Sequence, residues 1–172
     1  MSNLIQAARD QVAELTQNAY EKAAAAGALP AGAAVRGNVD IPKEVSHGDY
    51  ASSFAMAGAK TLHMAPRAIA QVILDHLDLE GSYFQRAEIA GPGFLNFYLG
   101  SRWYGEVLSD IEREGAAYGQ CDEGHGEKVM VEFVSANPTG PMHMGNARGG
   151  VLGDALAAVL ERAGYDVWRE FY

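Results

Sequence analysis

Residues 128–154 read KVMVEFVSANPTGPMHMGNARGGVLGD, and the fold class follows from how the period of this stretch changes. Val129-Met130-Val131-Glu132-Phe133-Val134 is a short apolar, β-branched run with the length of one buried strand. Ser135 to Met142 follows as a loop, because Asn137-Pro138 and Gly140-Pro141 both interrupt regular backbone. Met144, Ala147, Val151, Leu152, Ala155 and Val159 then recur at helical spacing up to Gly164, which suits the position just past a helix end. Asp166 to Tyr172 predicts the next strand. Strand, loop, helix, strand is a building unit of a parallel sheet, whose ligands sit beyond the carboxyl ends of its strands.

The start of that helix is where chemistry is expected. A first turn carries unpaired N–H groups and partial positive charge, which suit a phosphate. Gly140, Gly145, Gly149 and Gly150 leave room for a ligand to approach the backbone. His143 and Asn146 lie three apart, on one face of the first turn. Glu132 interrupts an apolar strand. It is either a surface glutamate or a buried carboxylate that needs a cationic partner.

Upstream, Asn3 to Ala26 reads as a helix with an apolar stripe of Leu4, Ala8, Val12, Leu15 and Ala19, capped by Ser2 or Asn3 and ended by Gly27. Val39 to Val45 holds a short strand that Pro42 places at a sheet edge. His47-Gly48-Asp49-Tyr50 reads as a turn, with Asp49 capping a helix over Ala51 to Leu62. Pro66 opens a third helix, whose apolar face is Ile69, Ile73, Leu74 and Leu77. Tyr83 to Ala90 and Phe94 to Leu99 flank Gly91-Pro92-Gly93 as an antiparallel hairpin, and Tyr83 and Asn96 on it are candidates for RNA contact. Ser101 to Glu114 is a further helix, with Trp103, Val107, Leu108 and Ile111 on one side. Gly115 to Glu127 has four glycines, several acids and little apolar content, so a boundary is expected there.

Composition limits the function. A formal charge of −9 argues against sequence-blind attraction to nucleic acid, which needs clustered Lys and Arg, but leaves room for a shaped RNA contact. One cysteine, Cys121, rules out an internal disulfide and a multi-cysteine zinc site, and no His spacing suggests a metal ligand set. Apolar residues make up 48% and charged ones 20%, and no membrane-length apolar run interrupts them, so a cytoplasmic location is expected.

The stretch VEFVSANPTGPMHMGNARGGVLGDALAAVLERAGYDV resembles the first active-site segment of arginyl-tRNA synthetases, which are class I aminoacyl-tRNA synthetases. His143-Met144-Gly145-Asn146 stands where that class has its His-Ile-Gly-His signature. His47-Gly48-Asp49-Tyr50-Ala51-Ser52 and Ala90-Gly91-Pro92-Gly93-Phe94-Leu95-Asn96-Phe97 resemble landmarks of the family's additional N-terminal domain.

The resemblance implies an α+β additional domain over residues 1–115, built of helices and a small antiparallel sheet, which contacts tRNA. A linker over 116–127 then leads to the first strand–helix–strand of a Rossmann-like α/β catalytic domain over 128–172. It implies catalytic roles for His143 and Asn146 on the ATP phosphates, with Gly145 leaving room for the adenosine. It places arginine against Glu132, Ser135 and Asn137, and gives the protein ATP, its accompanying Mg²⁺, arginine and tRNA-Arg as partners. Asn146 departs from the usual second His: it can still donate a hydrogen bond but cannot become cationic.

No Lys-Met-Ser-Lys-Ser type loop is present. The expectation is therefore an N-terminal fragment of a larger synthetase, inactive alone and able to self-associate through 129–134 or 166–172. Two other classes remain in view. One is a nucleotidylyltransferase, which would carry a His-x-Gly-His loop near its N-terminus, whereas roughly 130 residues precede it here. The other is a stand-alone RNA-binding module.

Overall fold

Apolar spacing explains most of the first half of the computed structural model, which describes residues 4–172. The chain divides after Arg113 into two units. In the first, helix α1 (Leu4–Ala25) buries Ala8, Val12, Thr16, Ala19, Tyr20 and Ala23, so the stripe is realised from its second turn onward. The caps assigned to Ser2 and Asn3 lie outside the described residues. Gly27, at φ +74°, ends α1: its N–H reaches the Ala24 carbonyl and the Ala28 N–H reaches Ala23, satisfying carbonyls that a helix end leaves open.

Strands β1 (Val39–Asp40), β2 (Tyr50–Ser52), β3 (Phe84–Ala90) and β4 (Phe94–Leu99) form an antiparallel sheet in the order β1-β2-β4-β3. Pro42 follows the two-residue β1, which lies at the edge. Helices α2 (Phe54–Leu62) and α3 (Pro66–Asp75) supply Phe54, Ala55, Leu62, Ile69, Ala70 and Ile73 to the core, where they meet Phe84, Leu95, Phe97 and Leu99. Phe84 meets Tyr50 and Phe97 edge-on, at 5.9 and 5.4 Å between ring centroids.

Two expectations are corrected here. The helix expected from Ala51 begins only at Phe54, because Tyr50–Ser52 pair with β4, and Asp49 is no helix cap. Its Oδ2 accepts the Leu99 N–H at 2.8 Å and its own N–H reaches the Phe97 carbonyl, so it ties β2 to the end of β4. On α4 (Ser101–Glu114), Trp103 packs on the core, but Leu108 and Ile111 are exposed while Asp110 is buried.

The second unit, Glu114–Tyr172, contains β5 (Lys128–Glu132), α5 (Met144–Arg162) and β6 (Asp166–Glu170). Strands β5 and β6 pair in parallel, Lys128 beside Asp166 through Glu132 beside Glu170. Residues 116–127 do not hang as a free linker. The N–H groups of Cys121, Gly124 and Gly126 reach the carbonyls of Arg162, Ala163 and Gly164, so the segment closes the α5 C-terminus. Helix α5 seats on the strand through its glycines: a Cβ at Gly153 would lie 2.3 Å from Phe133, and one at Gly150 2.9 Å from Val134. No helix among the described residues is long and apolar enough to cross a membrane.

Candidate functional site

Strand β5 ends abruptly. Val134 sits at φ +62°, in the left-handed region that a β-branched residue enters at a cost of about 1–3 kcal/mol. Its side chain fills the space beside Gly150, which anchors the turn of the chain from the strand into the 135–142 loop. That loop leads to the start of α5.

His143 is the N-cap of α5, with extended backbone at φ −110° and ψ 176°. Its own N–H donates to Asn146 Oδ1 at 3.0 Å. Its Nδ1 accepts the Gly145 N–H at 3.1 Å, and its carbonyl accepts the Asn146 and Ala147 N–H groups at 3.0 and 3.2 Å. This is a capping box, in which N-cap and third helical residue satisfy one another.

The first turn therefore does not present the row of unpaired amides expected from the sequence. The N–H groups of 143, 145, 146 and 147 are bonded within the turn, and His143 and Asn146 add side-chain edges to what the turn can offer. Nδ1 accepts, so in the neutral ring the proton lies on Nε2, and Asn146 keeps its NH₂ free of the cap. His143 is exposed to solvent. A Cβ at Gly145 would meet His143 Cε1 at 2.9 Å and Nδ1 at 3.0 Å, so the imidazole lies where a side chain at 145 would be.

His143 and Asn146 are shared by two adjoining recesses. One, of 380 Å³, is lined by loop residues including Ser135, Asn137 and Gly140. The other, of 500 Å³, is lined by Val134, Met142, Met144 and Ala147 as well. Ser135 Oγ accepts the Tyr172 N–H at 3.2 Å. The structure thus brings four sequence-predicted residues together: Ser135, Asn137, His143 and Asn146.

Glu132 does not line either recess. It is exposed at the end of β5, so the buried-carboxylate reading is corrected to a surface one, and it lies in register with Glu170 on the neighbouring strand. Glu170 in turn accepts from Trp168 Nε1 at 2.6 Å. Glu132 and Glu170 thus stand as Cα partners at the carboxyl ends of the two parallel strands.

The RNA candidates lie in the first unit. Tyr83 is half-buried; its hydroxyl donates to Glu106 Oε2 at 2.8 Å, and that bond raises its pKa, with Arg102 over the ring at 5.7 Å. Asn96 is 2% exposed and stands between Ala51 and Glu88, so its side chain is inside rather than on the surface. The exposed face nearby carries Arg86, stacked 3.7 Å from the centre of the Tyr98 ring, and the Tyr98 hydroxyl bonded to Glu88. That bond holds the Tyr98 hydroxyl above its ordinary pKa. Among the described residues, no group of three or more His, Cys, Asp or Glu side chains could hold a metal ion.

Sequence reasoning missed the capping box. The three-residue spacing of His143 and Asn146 was the available signal, but a His N-cap falls outside the usual Ser/Thr-x-x-Glu/Gln pattern.

Known proteins resemble the chain along its whole length. A family model described as "Arginyl tRNA synthetase N terminal domain" matches residues 4–99, and one described as "tRNA synthetases class I (R), catalytic domain" matches 108–172. The arginine--tRNA ligase of Acetivibrio thermocellus is 51% identical over 172 residues, covering 100% of this chain and 30% of that protein. That of Caldanaerobacter subterraneus is 46% identical over 172 residues, again 100% of this chain and 31% of the relative. The chain thus spans under a third of the length of these curated relatives. Among solved structures, the arginyl-tRNA synthetase of Plasmodium falciparum matches with a TM-score of 0.50 at 16% identity, covering 95% of this chain and 30% of that one, a likeness of fold alone.

Proposed function

Because the chain belongs to the arginyl-tRNA synthetase family, we propose that it supplies the tRNA-contacting domain and the opening of the active site of an arginine--tRNA ligase acting in the cytoplasm. The second unit is then the first strand–helix–strand of a Rossmann-like catalytic domain. In the reaction, the arginine carboxylate attacks the α-phosphorus of ATP and pyrophosphate leaves. A ribose hydroxyl at the tRNA end then attacks the acyl carbon, and AMP leaves. Such chemistry asks the protein for position and charge stabilisation more than for covalent help.

The observation that carries this reading is the double recess around His143 and Asn146, at the point where a parallel strand hands over to a helix. His143 Nε2–H and the Asn146 NH₂ donate to the ATP phosphates, while Gly145 lets the imidazole lie over the turn. Ser135 and Asn137 line the recess where the arginine backbone groups settle, and Glu132 meets a positive end of the substrate, with Glu170 beside it. Mg²⁺ arrives bound to the triphosphate. Tyr83 keeps the surface for a tRNA contact, whereas Asn96 would reach RNA only after its neighbours open.

The test is pyrophosphate exchange into ATP by the polypeptide that carries this chain at the length of its relatives, given each amino acid in turn with tRNA. Exchange with arginine alone is expected, and none by the 172-residue chain by itself. Exchange driven by another amino acid, or by none, overturns the proposal.

A further inference from the structure

The carboxamide of Asn146 is the one side chain that reaches back across the first turn of α5, and what it holds is the backbone of His143 rather than the ring. We propose that Asn146 is a positioning residue. By fixing the His143 N–H, it keeps the imidazole seated on the Gly145 N–H, and so as the neutral tautomer that offers Nε2–H outward.

The geometry is a closed loop of mutual constraints. The Gly145 N–H can donate only to an unprotonated Nδ1, so the seated ring carries its proton on Nε2. The ring lies where a side chain at 145 would be, with Cε1 2.9 Å and Nδ1 3.0 Å from a Cβ built on Gly145. The seat thus needs a glycine under it. It also needs the N-cap backbone held extended, and Oδ1 of Asn146 accepts the one N–H of that residue, at 3.0 Å. An asparagine here need not match the charge a histidine could carry. It has to provide an acceptor directed back at residue 143, which an amide oxygen does.

The phosphate role of Nε2–H rests on the nucleotide reading proposed above; the tautomer itself does not. The two are separable in one experiment on the polypeptide that carries this chain at the length of its relatives, with ¹⁵N-labelled histidine. Long-range ¹⁵N–¹H spectra read the His143 tautomer in the unliganded chain and in Asn146→Ala, Asn146→Gln and Gly145→Ala, and each sample is then titrated with ATP. The parent spectrum is expected to show a single Nε2–H tautomer. In Asn146→Ala the two nitrogen resonances move together as tautomers mix, and exchange of the His143 amide quickens about fivefold, the worth of one lost cap.

Asn146→Gln, which carries the usual acceptor at the third helical position, restores both. Gly145→Ala unseats the ring with Asn146 intact and gives the same mixing, so the result does not depend on one variant folding. An unchanged tautomer in Asn146→Ala, or a parent ring protonated on Nδ1, overturns the proposal. ATP is expected to shift the parent's Nε2 resonance. If the tautomer responds as expected while ATP leaves Nε2 undisturbed in every sample, the positioning role stands and the nucleotide reading falls.

Discussion

The two units dispose of their apolar side chains in opposite ways. In residues 4–113, α1, α2, α3 and the four-stranded sheet close over one core that takes in Val12, Leu62, Ile69, Ile73, Leu95 and Phe97, all at 2% exposure or less. In 114–172, the buried apolar side chains are Val131 and Ala157, while Met130, Met144, Val151, Leu152, Val159 and Trp168 are 64–74% exposed. The sequence patterns of the two are equally apolar, so the difference lies in what is available to cover them. An antiparallel sheet with helices on one face closes within about a hundred residues, whereas a parallel pair with one helix covers only the side of α5 that carries Gly150, Gly153 and Ala157. The first unit reads as complete in its packing and the second as a site-bearing edge.

The comparison breaks most sharply under side-chain truncation. Phe97→Ala is expected to cost about 3–5 kcal/mol, because the ring is wholly enclosed. Val159→Ala, at a residue 65% exposed, is expected to stay within about 0.5 kcal/mol. Denaturant titration that followed each unit by its own resonances would check both, and equal costs would erase the distinction. Gly153→Ala probes the covered side of α5. Its added methyl would fall 2.3 Å from Phe133, and about 1–3 kcal/mol of destabilisation of the second unit alone is expected.

The exposed side of α5 and the open edges of the β5–β6 pair sharpen the contrast differently. The 172-residue chain is expected to gain mass with concentration in light scattering, and Leu152→Glu with Val159→Glu to reduce that gain. A strict monomer at every concentration would mean that the apolar surface is tolerated alone.

The smallest effect is electrostatic. Glu161 accepts from Arg169, at 3.0 Å to Nη2, and this pairing holds its carboxyl below the ordinary value. A depressed carboxylate stabilises above its unfolded pKa of about 4.3 and loses that contribution as pH falls through the lower folded value. Glu161→Gln should therefore flatten a slight loss of α5–β6 order at acid pH, read by amide exchange. An identical acid profile in the variant would show that the pair contributes nothing, as exposed pairs often do.

Much of the fold was legible because the apolar residues keep time with one element each. The stripe on α1, Pro66 at the start of α3, the Gly91-Pro92-Gly93 hairpin and the strand–loop–helix around His143 each carry a local signal. Asp49 was misread because its partner is the Leu99 N–H, fifty residues away, and a local capping pattern cannot register that bond. Leu108 and Ile111 share a helix face with each other but not with the core, and periodicity gives a face without saying what it meets. At the site, the residue types pointed to the turn at His143 but not to how its backbone amides are bonded. Side chains of the motif take the His143 and Gly145 amides and the His143 carbonyl takes those of Asn146 and Ala147, a mutual arrangement that residue types alone do not specify.

The most direct measurement is arginine-dependent pyrophosphate exchange in the polypeptide of full family length, comparing the parent with His143→Ala. A fall of about 10²–10³-fold with unchanged folding is expected for the loss of one donor aimed at developing phosphate charge. A variant that exchanges at the parent rate would contradict the assignment of this turn to the nucleotide.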